Sequence, residues 1–239
     1  MSDADDAAGE GAGAPAVSNR GSTSERRGQQ SATVRAVVFD FGGVIITPIT
    51  EGITALAHRI GVDPRAMLEV LIGPDETGDH PWHRAERGEL TVAEIQGDLA
   101  TYAADAGVEL SGDEIEVLLD PRYSINDAVV ARVGSLRDEG IRTGLLTNTF
   151  AEFRPTMERD LDFGLFDAVI ESYAVGARKP ERRIYEAMAV ALGVEHGEIV
   201  YLDDFHQNLG PADELGWRTI HVTDVVSALA ELDALITAR

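Results

Sequence analysis

A chain of 239 residues with 44% hydrophobic side chains is large enough for one substantial core, or a core carrying a smaller inserted unit. Its formal charge of -22, from 42 acidic and 20 basic residues, repels phosphate backbones and argues against nucleic acid as a partner. There is no cysteine, which excludes disulfides and thiolate metal sites and fits a reducing cytoplasm, the expected location.

Residues 1–33 are rich in Gly, Ala, Ser and Asp, and Val17 is their only branched aliphatic residue. They read as a disordered tail of charge about -2, leaving roughly -20 on the rest. With no apolar h-region, the tail resembles neither a signal peptide nor a membrane anchor. No apolar run elsewhere is long enough to span a bilayer, so no membrane partner is expected.

The first buried strand is expected over Val34–Phe39, ending in Asp40 and two glycines (FDFGGVI). Some 100 residues then precede the next strand, far more than one crossover helix requires. That interval carries its own helix starts. Asp63-Pro64 reads as an N-cap followed by proline, and Thr91…Glu94 and Ser111…Glu114 fit the capping box. A helical insertion over about 50–124 follows. His80 and His83 flank Pro81, which argues against a helix presenting the two as a metal pair.

Beyond it, Asn126–Arg137 shows apolar residues at helical spacing, and Arg142–Leu146 reads as the second strand. Ala168–Glu171 is the third, Ile199–Leu202 the fourth and Thr219–Val222 the fifth. Pro180 is placed in the first turn of a helix bearing Ile184, Tyr185 and Met188. The last helix follows Thr223 and Asp224, either a suitable cap. Strands alternating with helices define an α/β fold, a Rossmann-like parallel sheet over 34–49 and 125–239, interrupted by the helical unit.

In such sheets ligands bind outside the carboxyl ends of the strands. Asp40 follows the first strand, Thr147 and Asn148 the second, and Asp203 and Asp204 the fourth, with Lys179 in the loop beyond the third. Gathered acids repel one another unless a cation neutralises them. Oxygen ligands without Cys or clustered His select a hard ion, Mg²⁺. Lys179, the Thr147 hydroxyl and the Asn148 backbone N–H suit a phosphoryl group. A carboxylate nucleophile, a divalent metal, a lysine and a hydroxyl together suit phosphoryl transfer through an aspartyl phosphate.

Asp40 in FDFGGVI, Thr147 in LLTNT, Lys179 in ARKPERRIY and Asp203-Asp204 in YLDDFHQN match, in order, the four motifs of the haloacid dehalogenase-like (HAD) hydrolases. The resemblance covers residues 34–222. LTNT, RKPE and LDDFHQNLGPADELGW are most similar to the branch holding the phosphatase domain of soluble epoxide hydrolases and bacterial glucose-1-phosphate phosphatases. The resemblance implies a HAD-like core in which Asp40 is nucleophile and metal ligand. Thr147 would bind the phosphoryl group and Lys179 would steady it. Asp203 and Asp204 would hold Mg²⁺, and residues 50–124 would be a mobile cap closing over a small phosphorylated substrate.

Position 42 departs from that family. Its phosphatases usually place there an Asp that protonates the departing oxygen and then activates water. Gly42 keeps only the backbone carbonyl, which the resemblance makes a metal ligand. Acid–base help of this kind is worth about 10²–10⁴-fold. Three explanations compete. A phosphatase could take leaving groups that need little protonation, such as sugar-1-phosphates or acyl phosphates, or borrow an acid from His206 or Glu86. A 2-haloacid dehalogenase needs no acid, but those enzymes resemble FDxYGT at the first motif and lack the paired Asp at the fourth. A weakened member could bind a phosphorylated ligand or a protein without turning it over. The first is favoured. Trp82 is a candidate for the substrate face of the insertion, and Asn208 for orienting the fourth loop.

Overall fold

The computed structural model describes residues 33–73, 80–119 and 123–237. The expectation of a disordered tail falls almost wholly on residues 1–32, outside the described residues. In chain order, β1 (Ala36–Phe39) leads through a tight loop into five helices. These are α1 (Ile49–Ile60), α2 (Pro64–Ile72), α3 (Pro81–Glu86), α4 (Val92–Asp105) and α5 (Gly112–Leu119). Then come α6 (Asp127–Asp138), β2 (Arg142–Thr147), α7 (Arg154–Asp160), β3 (Ala168–Glu171), α8 (Ser172–Val175) and α9 (Arg182–Leu192). The chain closes with β4 (Ile199–Asp203), α10 (His206–Leu215), β5 (Arg218–His221) and α11 (Val225–Thr237).

The five strands form one parallel sheet in the order β3-β2-β1-β4-β5. Successive residues of each strand face opposite sides, so the sheet builds two cores. Val37, Phe39, Leu145, Val200 and Leu202 pack with α6 (Val129, Val133, Leu136) and α11 (Ala228, Leu232) on one face. Ala36, Val38, Leu146, Ile199 and Tyr201 pack with α9 (Ile184, Tyr185, Met188) and α10 (Leu209, Ala212) on the other. Burial on both faces explains why β1 and β4 read as nearly continuous apolar runs. Because β1 lies between β2 and β4, the carboxyl ends of these three strands open onto one crevice.

The insertion holds the helix starts expected of it. Asp63 Oδ1 accepts from the N–H groups of Arg65 and Ala66, and Pro64 opens α2. Thr91 and Glu94 cap α4 reciprocally, and Ser111 and Glu114 do the same for α5. Two apolar clusters knit these helices. One is internal, around Ile53, Leu56, Met67 and Leu71. The other joins Trp82, Ile95 and Leu99 to Phe150, which follows β2.

Two local readings are corrected. Pro81 does not keep His83 off a helix: it is the first residue of α3, whose N-cap is His80. A proline tolerates that position because its missing N–H would have had no partner there. Pro180 is not in the first turn of α9, which begins at Arg182 after the N-cap Glu181. The preceding residue, Lys179, has its N–H and carbonyl bonded to the Asn148 side chain, at 2.8 and 3.0 Å, so the chain stays in a loop there. At the last helix, Asp224 is the cap, its Oδ1 accepting from Ser227 N at 2.8 Å. Among the described residues, no helix is long and apolar enough to cross a membrane.

Candidate active site

Asp40 directly follows β1 and is almost wholly buried. Its Oδ1 accepts from the N–H of Phe41 at 2.6 Å, and its Oδ2 lies 2.8 Å from Lys179 Nζ. The same ammonium donates to Asp203 Oδ2 at 2.7 Å, so one buried cation bridges two carboxylates. Burial first, then Asp203, raises the pKa of Asp40 well above the ordinary aspartate range, while Lys179 pulls against them. Burial lowers the pKa of Lys179, but Asp203 and Asp40 outweigh it, and the ammonium is held above its usual value.

One oxygen each from Asp40, Asp203 and Asp204 lies within 4.8 Å of the others. The three acids differ in what already surrounds them. Asp203 Oδ1 accepts from Phe205 N at 2.8 Å and Asn208 Nδ2 at 3.0 Å, and its Oδ2 accepts from Lys179 and the Tyr201 hydroxyl. Its lone pairs are thus directed at protein donors. Asp204 Oδ1, by contrast, is buried and has no hydrogen-bond partner. Burial first, then the Asp203 charge, lifts its pKa to about 7. A buried carboxylate oxygen without a donor, beside two further acids, fits a hard cation. The geometry therefore favours Asp40 and Asp204 as the carboxylates facing an ion, with Asp203 fixing Lys179 and the fourth loop.

The two glycines after Asp40 do different things. Gly43 has φ +67°, and a Cβ there would lie 2.0 Å from Asp204 Oδ2, so the loop presses its backbone against that carboxylate. Only glycine permits both the left-handed conformation and the approach. Gly42 is extended (φ -67°, ψ 137°), and a Cβ added to it would meet nothing within 4 Å.

Thr147, the last residue of β2, is buried and lines the crevice with Asn148. The Asn148 side chain grips the Lys179 backbone, its amide donating to the carbonyl and its oxygen accepting from the N–H. Asn208 is buried, and its side-chain amide donates to both carboxylate oxygens of Asp203. His206 is exposed, meets His221 edge-to-face with ring centroids 5.5 Å apart, and is not among the residues lining the crevice. As a lender of acid it is poorly placed.

Glu86 and Trp82 do line the crevice, from α3. Glu86 Oε1 accepts from Trp82 Nε1 at 3.0 Å, and Oε2 pairs with Arg178 Nε at 2.5 Å. This ion pair ties the insertion to the loop carrying Lys179. His83 donates Nε2–H to the Ile72 carbonyl at 2.8 Å, since only a protonated nitrogen can bond a carbonyl. Burial, then Arg178, lowers its pKa to about 4, so the ring is neutral at pH 7.

Sequence reasoning missed Arg178, Tyr201 and the apolar walls formed by Phe150, Phe153, Met157 and Tyr123. Two signals were present. Arg178 adjoins Lys179 in ARKPE, and TNTFAEF sets two phenylalanines directly after the polar end of β2.

A five-stranded parallel sheet with acids, a lysine and a threonine at its carboxyl edge defines a hydrolase of the haloacid dehalogenase-like class. The chain belongs to that family: the family model of haloacid dehalogenase-like hydrolases matches residues 34–215. Bifunctional epoxide hydrolase 2 of Sus scrofa is 31% identical over 215 residues, covering 84% of this chain and 38% of the relative. The sesquiterpene phosphatase of Aspergillus oryzae is 26% identical over 210 residues, covering 85% of this chain and 97% of the relative. A solved structure described as a predicted HAD-like family hydrolase from Porphyromonas gingivalis is 25% identical, with a TM-score of 0.63, covering 84% of this chain and 98% of the other. The chain spans between 19% and 38% of the length of the first curated relatives it matches.

Proposed function

We propose that the protein is a Mg²⁺-dependent phosphomonoesterase that works through an aspartyl phosphate at Asp40. The carrying observation is the pairing of a lysine-neutralised carboxylate, Asp40, with a neighbouring acid, Asp204, that keeps a buried oxygen free of any protein donor. Asp40, Asp204 and the Gly42 carbonyl would hold the ion. When bound, Mg²⁺ would neutralise charge developing on the phosphoryl oxygens.

The chain's own groups divide the remaining work. Phe41 N–H fixes Asp40 Oδ1, leaving the carboxylate oriented for in-line attack on phosphorus. Lys179, itself anchored by Asp203, balances the nucleophile's charge and meets a phosphoryl oxygen. Thr147 Oγ and the backbone N–H of Asn148 would donate to the other oxygens. The helical insertion would act as a cap, closed through Glu86–Arg178 and Trp82–Phe150, and would exclude water during attack. A sesquiterpene phosphatase among the relatives supports a phosphorylated substrate.

The test is phosphate release from p-nitrophenyl phosphate and a metabolite panel, with and without Mg²⁺, by wild type and Asp40→Asn. Mg²⁺-dependent release lost in the variant is expected. Release of halide from 2-haloacids without phosphate release would transfer the assignment to a dehalogenase.

A further inference from the structure

We propose that the substrate is the monophosphate ester of a phenolic alcohol, an aryl phosphate, rather than a sugar or alkyl phosphate. The inference rests on the phosphatase reading above and adds the identity of the leaving group. Two independent features of the crevice meet in it.

The first is the shape and chemistry of the walls. The cavity beside Asp40 measures about 190 Å³. An apolar cavity of about 150 Å³ accepts benzene, so one ring and a phosphoryl group match this scale. Trp82, Phe150 and Phe153 form a continuous edge-to-face row, with centroids 4.8 and 5.0 Å apart at 76° and 72°. Phe41 and Tyr123, 5.7 Å apart at 84°, supply a second aromatic pair to the same cavity. Aromatic side chains in this packing accept a further ring through the same offset and edge contacts. The exposed wall is mostly apolar, so the hydroxyls of a sugar would lose water against it.

The second is the protonation available to a departing oxygen. Gly42 offers no acid. Both oxygens of Glu86 are held on the wall as acceptors, from Trp82 and Arg178, rather than turned toward a departing oxygen. His83 is neutral, with its one N–H given to Ile72. A phenol ionises near pH 10, whereas water and the alkanols that resemble it ionise only far above that. An aryloxide therefore departs where an alkoxide would need a proton.

The step balances without an acid. An Asp40 oxygen forms a bond to phosphorus as the P–O(aryl) bond breaks, and the bonding pair leaves on the aryloxide. The aryloxide then takes its proton from water, and a second water cleaves the aspartyl phosphate to inorganic phosphate.

The experiment compares phenyl, benzyl and hexyl phosphates and glucose 6-phosphate, with Mg²⁺, by phosphate release. Phenyl and benzyl phosphates share a ring but differ in leaving group. Phenyl phosphate should exceed benzyl phosphate by about 10²-fold in kcat, with KM within a few-fold, the margin expected when acid help is missing. Glucose 6-phosphate should be the poorest. Phe153→Leu and, separately, Trp82→Leu should raise KM for phenyl phosphate. In wild type with Mg²⁺, phenylphosphonate should raise Tm more than methylphosphonate.

Glucose 6-phosphate turning over as fast as phenyl phosphate would overturn the inference while leaving the phosphatase reading intact. So would equal kcat for benzyl and phenyl phosphates, or no difference between the two phosphonates. Absence of phosphate release from all four esters would overturn both.

Discussion

If the proposed phosphatase works without an acid beside Asp40, replacing Gly42 by aspartate should open it to alkyl phosphates. The structure leaves room for the change. A Cβ at 42 meets nothing within 4 Å, and φ -67°, ψ 137° suits any residue. Removing glycine from an extended position should shift stability by no more than about 1 kcal/mol. The gain, if the new carboxyl protonates the departing oxygen, is about 10²–10⁴-fold in kcat, or roughly 3–5 kcal/mol off the barrier. Benzyl phosphate is the reporter, because its leaving group needs the proton, and phenyl phosphate should gain far less. The neighbouring substitution is the control. Gly43→Ala places a methyl 2.0 Å from Asp204 Oδ2 in a left-handed backbone, at a cost of about 1–2 kcal/mol from φ alone. It should abolish the rise in Tm on adding Mg²⁺. A folded Gly42→Asp protein that still responds to Mg²⁺ but cleaves benzyl phosphate no faster would refute the reasoning.

Asp203→Ala strips the buried Lys179 ammonium of one of its two carboxylates and leaves Tyr201 and Asn208 unpaired. Urea unfolding should show a loss of about 3–5 kcal/mol. A loss below about 1 kcal/mol would mean the acid faces an ion rather than the lysine. Glu86→Gln keeps an acceptor for Trp82 but leaves the half-enclosed Arg178 without its counter-charge. It should raise KM for aryl phosphates, and an unchanged KM would dissociate the pair from closure. The Asp204 pKa of about 7 lies above its unfolded value near 3.8, so the folded state holds this proton more tightly. Its contribution to stability is present in acid and is lost as pH rises through about 7. If Mg²⁺ binds Asp204 as proposed, it displaces the same proton, and its affinity should fall at least about tenfold per pH unit below 7. Calorimetric Tm against pH, with and without Mg²⁺, should show the two curves diverging between pH 6 and 8.

The strands and the helix starts of the insertion were legible because their causes are local. Val37 and Leu202 sit in unbroken apolar runs, and Thr91 and Glu94 stand three residues apart. The gathering of Asp40, Thr147, Lys179 and Asp204 in one crevice followed from the rule that strand ends converge. What stayed hidden depends on contacts distant in sequence. Glu86 and Arg178 are 92 residues apart, and nothing in either neighbourhood announces the other. The unequal surroundings of Asp203 and Asp204 could not be read from two identical letters. They diverge because Asp203 ends β4 facing Lys179 and Tyr201, while Asp204 turns toward Gly43. Pro180 was misplaced for the same reason, since the brace from Asn148 lies 31 residues away.

That brace sets a limit on how the site could be altered. One amide side chain, Asn148, holds both backbone groups of Lys179, in the manner of a neighbouring strand. The lysine's main chain is therefore registered to the end of β2, and through it to β1 and Asp40, rather than to the loop it belongs to. Insertions or deletions between β3 and Pro180 could change the loop's length and composition while the ammonium kept its place. Exchanging Asn148 alone, even for aspartate, would replace a donor by an acceptor opposite a carbonyl and release that registration.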